Sequence, residues 1–426
     1  MPHLTLAALF AVLALATDAG PTSDGRAAAL VASPAFKAAV AKLDADHERT
    51  VTDIVTLTEI PAPPFKEAAR GKAYLAMLKA HGLTDVEMDR EGNVMGVRPG
   101  ARTKGKGPYV VLAAHLDTVF PEGTDVKVRR EGSKLMAPGV GDDTRSLAVL
   151  LAYLRAMDAA KIKTTADILF VGNVGEEGAG DLRGTRYLFN TGKYKGRISA
   201  FFSMDGNDPS RVVDQGVGSK RYHVVFRGPG GHSYGAFGMV NPMAAMAKAV
   251  VDRYSIKPPT EPKTTYAASV TGGGTSVNAI PGEVFMDFDM RSESAAELAK
   301  LDTKLVAILN AAVEGENAAR STRYGKVSVE VKVIGERPAG ATDPKAAIVA
   351  ATHDAITALG YTPLHEASST DANVPMSLGI PAVTIGSGGK GGRAHALDEW
   401  IDVEKGPSVK GMSVGLAALL TVAGVE

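Results

Sequence analysis

Five short stretches of the 426-residue chain concentrate imidazole and carboxylate groups. His115-Leu116-Asp117 closes an apolar run from Tyr109 to Ala114. Residues i and i+2 of a strand share a face, so His115 and Asp117 can act together, although such a pair alone is also an ordinary structural hydrogen bond. Gly139-Val140-Gly141-Asp142-Asp143 lets a tightly folded backbone present a carboxylate, while Asp143 also fits the N-cap of a following helix. Asn173-Val174-Gly175-Glu176-Glu177-Gly178 places two adjacent carboxylates at the exit of an apolar run. Such neighbours repel, and are tolerated when solvated or when one binds metal and the other carries a proton. Ser203-Met204-Asp205-Gly206 repeats the theme, and Arg393-Ala394-His395-Ala396-Leu397-Asp398-Glu399 follows a glycine-rich turn.

Taken together, these are two histidines and several carboxylates at predicted strand ends. The chain has no cysteine, which excludes a disulfide scaffold, a thiolate zinc site, an iron–sulfur cluster and a cysteine nucleophile. Any metal must therefore be held by His, Asp and Glu, a donor set that suits a hydrolytic two-metal site. The 47 basic and 47 acidic side chains cancel, which argues against a nucleic-acid partner. Charged residues at 22% and hydrophobic residues at 45% describe a soluble globular chain, long enough for two or three domains.

The elements that position these groups follow from periodicity. Helical spacing over 34–59 and 65–81 is interrupted by Ile60-Pro61-Ala62-Pro63-Pro64, where prolines forbid continuation. Strands are predicted over Thr84–Met88, Asn93–Val97, Tyr109–His115, Ala166–Val174 and 199–204, with a helix from Ser146 to Met157. This alternation predicts an α/β domain with a mostly parallel sheet. After Gly216 the order becomes β-α-β-β-α-β: Arg221–Phe226, Pro242–Tyr254, Tyr266–Val270, Val284–Met290, Ala295–Val313 and Val327–Val333. That is the ferredoxin-like α+β arrangement, read as an inserted domain over 217–335. The α/β pattern then resumes with a helix over 344–358, a strand Ala382–Ile385 and a closing helix near 406–423. The parts are 34–216, the insertion, and 336–426. Ahead of them, the apolar run Leu4 to Ala16 ends in small-x-small Ala14-Leu15-Ala16 and turns polar, which predicts a signal peptide over 1–19 and a secreted or periplasmic protein. Its N-terminal flank, Met1-Pro2-His3, has no Lys or Arg.

The five motifs, in this order and interrupted by such an insertion, resemble the M20 co-catalytic zinc peptidases and deacylases, a family that includes peptidase T, carboxypeptidase G2 and succinyl-diaminopimelate desuccinylase. The resemblance runs from about residue 50 to the C-terminus, and Ser369-Thr370-Asp371-Ala372-Asn373-Val374-Pro375 with Gly379-Ile380-Pro381-Ala382 is most similar to the peptidase T-like branch. It implies a zinc-exopeptidase catalytic domain with an inserted lid, and two zinc ions, for which cobalt or manganese could substitute. Asp142 would bridge the metals, His115 and Asp205 would complete one site, and Glu177 with His395 the other. Glu176 would be the general base, and Asp117 would hydrogen-bond His115 and fix its tautomer. Arg227-Gly228-Pro229-Gly230-Gly231-His232-Ser233 resembles the lid signature, which implies that His232 reaches the site of a homodimer partner. A local hydrogen bond is the alternative for His232. Asn278 and Arg291 resemble the substrate-binding pair, Arg291 as a carboxylate clamp, with a surface salt bridge as its alternative.

Two departures stand out. Asp142-Asp143-Thr144 lacks the lysine that many relatives carry at the third position, for which Arg145 could compensate. Position 205 is Asp, which resembles the aminopeptidase and dipeptidase side of the family. The implied function is hydrolysis of short peptides by an aminopeptidase, dipeptidase or tripeptidase. An N-acyl amino-acid amidohydrolase or carboxypeptidase of the same fold is the alternative, and a metal-free peptide-binding relative is the rival of another class.

Overall fold

The computed structural model describes residues 25–426. The predicted signal segment lies outside the described residues.

The apolar runs form one large sheet. Its spatial order is Thr84–Met88, Val94–Arg98, Asp167–Asn173, Tyr109–His115, Ile198–Met204, Ala382–Ile385, Arg211–Gly216 and Gly340–Ala341, with Leu364–Ser368 also paired to Arg211–Gly216. The four central strands, Asp167–Asn173 through Ala382–Ile385, run parallel, whereas the first three pair antiparallel and Arg211–Gly216 runs antiparallel to Ala382–Ile385. Tyr109–His115 and Asp167–Asn173 are buried along their whole length. They lie inside the sheet with helices over them, which is why they read as unbroken apolar runs rather than alternating ones.

On one face, helices Pro34–Ala45, Arg145–Ala159, Ala347–Ala358 and Lys405–Ala423 bury a core that includes Phe36, Leu112, Leu150, Phe170, Phe202 and Leu416. Each such side chain contributes roughly 1.5–3 kcal/mol. Lys405–Ala423 is apolar nearly all round because it is buried nearly all round. The opposite face carries a smaller core with Val111, Leu169, Phe189 and Phe201.

Strands Gly218–Arg227, Thr264–Gly273, Glu283–Ser292 and Ser328–Arg337 form a separate antiparallel sheet, with Glu283–Ser292 and Ser328–Arg337 flanking Gly218–Arg227. Helices Pro242–Tyr254 and Ala295–Ala319 cover one face of this lid. Glu283–Ser292 alternates strictly: Val284, Met286, Phe288 and Met290 face those helices, and Phe285, Asp287, Asp289 and Arg291 face outward. The last lid strand extends beyond the predicted stretch to Arg337.

A small sheet of Lys390–Gly392, Trp400–Asp402, Lys134–Met136 and Arg129–Glu131 is not foreshadowed by periodicity, because three-residue strands are too short to carry one. It joins the stretch after His395 to the loop that presents Asp142.

Candidate metal centre

Each predicted ligand stands at or just beyond the C-terminal end of a sheet strand or in a loop held against it. His115 ends Tyr109–His115, Glu177 follows Asp167–Asn173, and Asp205 follows Ile198–Met204. In open α/β sheets this edge is where ligands gather.

Asp142 lies between the two histidines. Its Oδ1 is 3.0 Å from His115 Nε2, its Oδ2 is 3.1 Å from His395 Nε2, and His395 Nε2 is also 3.0 Å from Glu177 Oε1. Candidate ligand atoms of His115, Asp142 and Glu177 lie within 4.8 Å of one another, as do those of His115, Asp143 and Asp205. Asp143 therefore belongs to the cluster rather than to a helix cap: it is fully buried, and Oδ2 accepts the backbone N–H of His115 at 3.0 Å. The resemblance had not given it a ligand role.

The electrostatics match a cation site. Burial works against ionisation of Asp142, but its hydrogen bonds to His115 and His395 and their charges win and hold its carboxyl well below the usual range. Burial pushes Glu177 and Asp205 up, and the charge of Asp142 adds to it. Burial likewise raises Asp143. His395 is pushed up to about 10, chiefly by its hydrogen bonds to Asp142 and Glu177. Burial opposes the charged form of His115, yet Asp143, Asp117 and Asp142 raise it well above the ordinary histidine value. Four carboxylates thus crowd around two imidazoles, a charge imbalance that bound divalent cations would relieve. The nitrogen and oxygen donor set fits two such ions.

The supporting contacts differ from expectation in instructive ways. His115 Nδ1 is 3.0 Å from the Asp117 carbonyl oxygen, whereas the Asp117 carboxylate is farther, at 3.7 Å. That carboxylate instead accepts the backbone N–H groups of Glu176 and Glu177, at 3.1 and 2.8 Å. It shapes the strand exit that carries both glutamates. Glu399, within the fifth motif, accepts from Gly139 N at 2.7 Å and from Gly141 N and Asp142 N at 2.8 Å each, so it anchors the loop presenting Asp142. A side chain at Gly141 would press against Glu399, Asn207 and Ile401. Arg145 does not replace the missing lysine, because it is buried beneath Gly388 and Ser408 and donates to them. Asp398 pairs with Arg393 at the surface, at 3.0 Å.

Glu176 is buried and held by a residue that the motifs do not reveal. Arg337, the last residue of the lid, donates through Nη1 to Glu176 Oε1 at 3.0 Å and through Nη2 to the Glu176 carbonyl. Burial raises the Glu176 carboxyl well above its usual value, Glu177 adds to this, and Arg337 opposes it.

A cavity of about 600 Å³ opens over the cluster and is lined by Asp142, Glu176, Glu177, Asp205 and His395, and by Arg291 from the lid. His232 and Asn278 are not among its lining residues. They sit together on an exposed part of the lid where Gly231–His232 pairs antiparallel with Ala279–Ile280, Ser233 N donates to Asn278 O at 2.9 Å and His232 Nδ1 accepts from Tyr234 N at 3.2 Å.

A solved aminopeptidase PepT from Bacillus cereus is 22% identical and superposes with a TM-score of 0.71 over 89% of this chain and 99% of that one. The Bacillus subtilis YxeP protein, a dinuclear metal-binding peptidase of family M20, gives a TM-score of 0.64 at 17% identity, covering 89% of this chain and 99% of that one. At these identities the likeness establishes the fold. A curated relative from Pyrococcus abyssi, named a LysW-lysine/LysW-ornithine hydrolase, is 34% identical over 122 residues. That match spans 29% of this chain and only 32% of the relative. The family model for peptidase family M20/M25/M40 matches residues 111–420, which include all five motifs and the inserted lid. The chain belongs to peptidase family M20/M25/M40.

Proposed function

We propose that the protein is a dinuclear metal-dependent hydrolase of amide bonds in short peptides, of the aminopeptidase, dipeptidase or tripeptidase kind. The observation that carries this reading is the clustering of His115, Asp142, Glu177, Asp205 and His395 at the floor of one cleft, with Glu176 on its lining. Family membership and the likeness to an aminopeptidase fold support it.

Two divalent cations, zinc by the family resemblance, would be held by Asp142 with His115, Asp205, Glu177 and His395, and would supply a polarised substrate carbonyl and an acidified water. Glu176 takes the proton of the attacking water and returns it to the leaving nitrogen. Arg337 engages Oε1 of Glu176, so Oε2 is the oxygen left to carry that proton. Asp117 and Glu399 hold the backbone from which Glu176, Glu177 and Asp142 project.

Glu176→Ala tests the reading: it abolishes turnover while the bound metal stays, and a variant that keeps activity removes Glu176 as the base. A second reading, hydrolysis of N-acyl amino acids or related amides, is supported by the name of the curated relatives. A panel of free and N-blocked peptides separates the two. A homodimer formed through the lid is part of the proposal, supported by Tyr234, Phe237 and Val277, which are exposed around His232 and Asn278. Export rests on the Leu4–Ala16 run alone and is tested by N-terminal sequencing of the mature chain.

A further inference from the structure

The cleft contains four guanidinium groups, of Arg211, Arg221, Arg291 and Arg337. Two of them are committed to carboxylates of their own: Arg337 to Glu176 at 3.0 Å, and Arg211 to Glu366 at 3.0 Å. The other two share a single acid. Arg221 Nε is 3.0 Å from Asp289 Oδ1, and Arg291 Nε is 2.8 Å from Asp289 Oδ2.

The lid sheet dictates this arrangement. Arg221 and Asp289 are register partners on adjacent antiparallel strands, and Arg291 lies two residues beyond Asp289 on the same outward face. Asp289 engages each guanidinium through Nε. Arg221 Nη1 makes only a 3.5 Å contact with the Gly178 carbonyl, and the terminal nitrogens of Arg291 have no protein partner among the described residues. Gly335 is the register partner of Arg221 on the other side, and a side chain there would come within 3.3 Å of Arg221 Cδ. Two cations splinted by one anion leave one positive charge facing a cleft otherwise rich in acid. A planar fork of N–H donors in that position suits one carboxylate. The contact with Gly178 sets this fork beside the loop that carries Glu176 and Glu177.

We propose that Arg221 is a second arm beside Arg291, that Asp289 aligns both, and that together they receive a free carboxylate of the substrate close to the scissile amide. This deepens the function proposed above and rests on it for the identity of the substrate. The favoured substrates are small amides whose leaving group is an amino acid with a free carboxylate, and masking that carboxylate as an amide removes the preference.

The test uses the zinc-loaded full chain with alanyl-alanine and alanyl-alaninamide. The expected result is that Arg221→Met reduces the acid-to-amide preference in kcat/KM by about 10–100-fold, mostly through KM, with Arg221→Lys intermediate. A preference that is unchanged while both substrates decline together marks Arg221 as structural and overturns the proposal. If the loaded enzyme cleaves neither peptide, the proposed reaction fails and the receptor is judged by calorimetry with N-acetylalanine and N-acetylalaninamide. Tighter binding of the acid that Arg221→Met abolishes sustains the receptor, and equal binding of acid and amide by the unaltered protein overturns it.

Discussion

Arg337 closes the lid's edge strand and meets Glu176 at the metal cleft across 3.0 Å, with side chains only 5% and 7% exposed. The lid and the catalytic sheet are therefore joined at the residue to which the base role is assigned. Removing one partner of a buried ion pair strands the other charge, at a cost of about 3–5 kcal/mol. Arg337→Met is expected to lower stability by that order in urea unfolding, and to reduce turnover as well. A stability change under about 0.5 kcal/mol, the range of ordinary surface substitutions, would show that the pair does not hold the two parts together.

Asp117 has no exposed surface and spends both carboxylate oxygens on the Glu176 and Glu177 backbone. Asp117→Asn turns one acceptor into a donor facing an N–H group. Metal affinity, read by competition with a chelator, is expected to drop by about 10–100-fold. Unaltered affinity would mean that the loop keeps its shape without Asp117.

From the ordinary carboxylate range upward, the metal-free protein is expected to lose stability as pH rises. Glu177 and Asp205 are raised, so their protonated forms favour folding at acid pH, and that advantage fades above the ordinary carboxylate range. His115 and His395 are raised too, and their contribution is complete below the ordinary histidine value. For His395 it is lost as pH climbs toward about 10. Metal binding requires these same groups deprotonated. The gain in melting temperature on adding zinc, relative to chelator, should therefore be larger near about pH 9 than near about pH 6. A gain that shrinks over this interval would argue against these residues as the ligands.

Much of this was legible in the sequence because the ligands sit at strand ends. Tyr109–His115 and Ala382–Ile385 have their predicted bounds, since buried parallel strands announce themselves as apolar runs closed by polar residues. The five motifs then mark where each run meets the cleft. What stayed hidden depends on partners distant in sequence. Arg337 lies 161 residues from Glu176, and Glu399 lies 257 residues from Asp142. A lone arginine at the end of an exposed strand, or one acid among the Asp398-Glu399 pair, carries no local sign of such a contact. Asp143 was legible as an acid but not as a member of the cluster, because its helix-cap reading is satisfied by the same Gly-rich turn. Arg221 shows its role only through strand register, which links it to Asp289 across the lid sheet.

Hydrolysis by this chain is proposed to depend on two metal ions in the His115–Asp142–His395 cluster. The most direct measurement is metal content by mass spectrometry on purified protein, read together with peptide hydrolysis as zinc is added back after chelation. About two equivalents per chain are expected at saturation, with activity appearing and vanishing with the metal and absent in Glu176→Ala despite full loading. Hydrolysis that persists without metal, or a saturated content below about one equivalent, would contradict it.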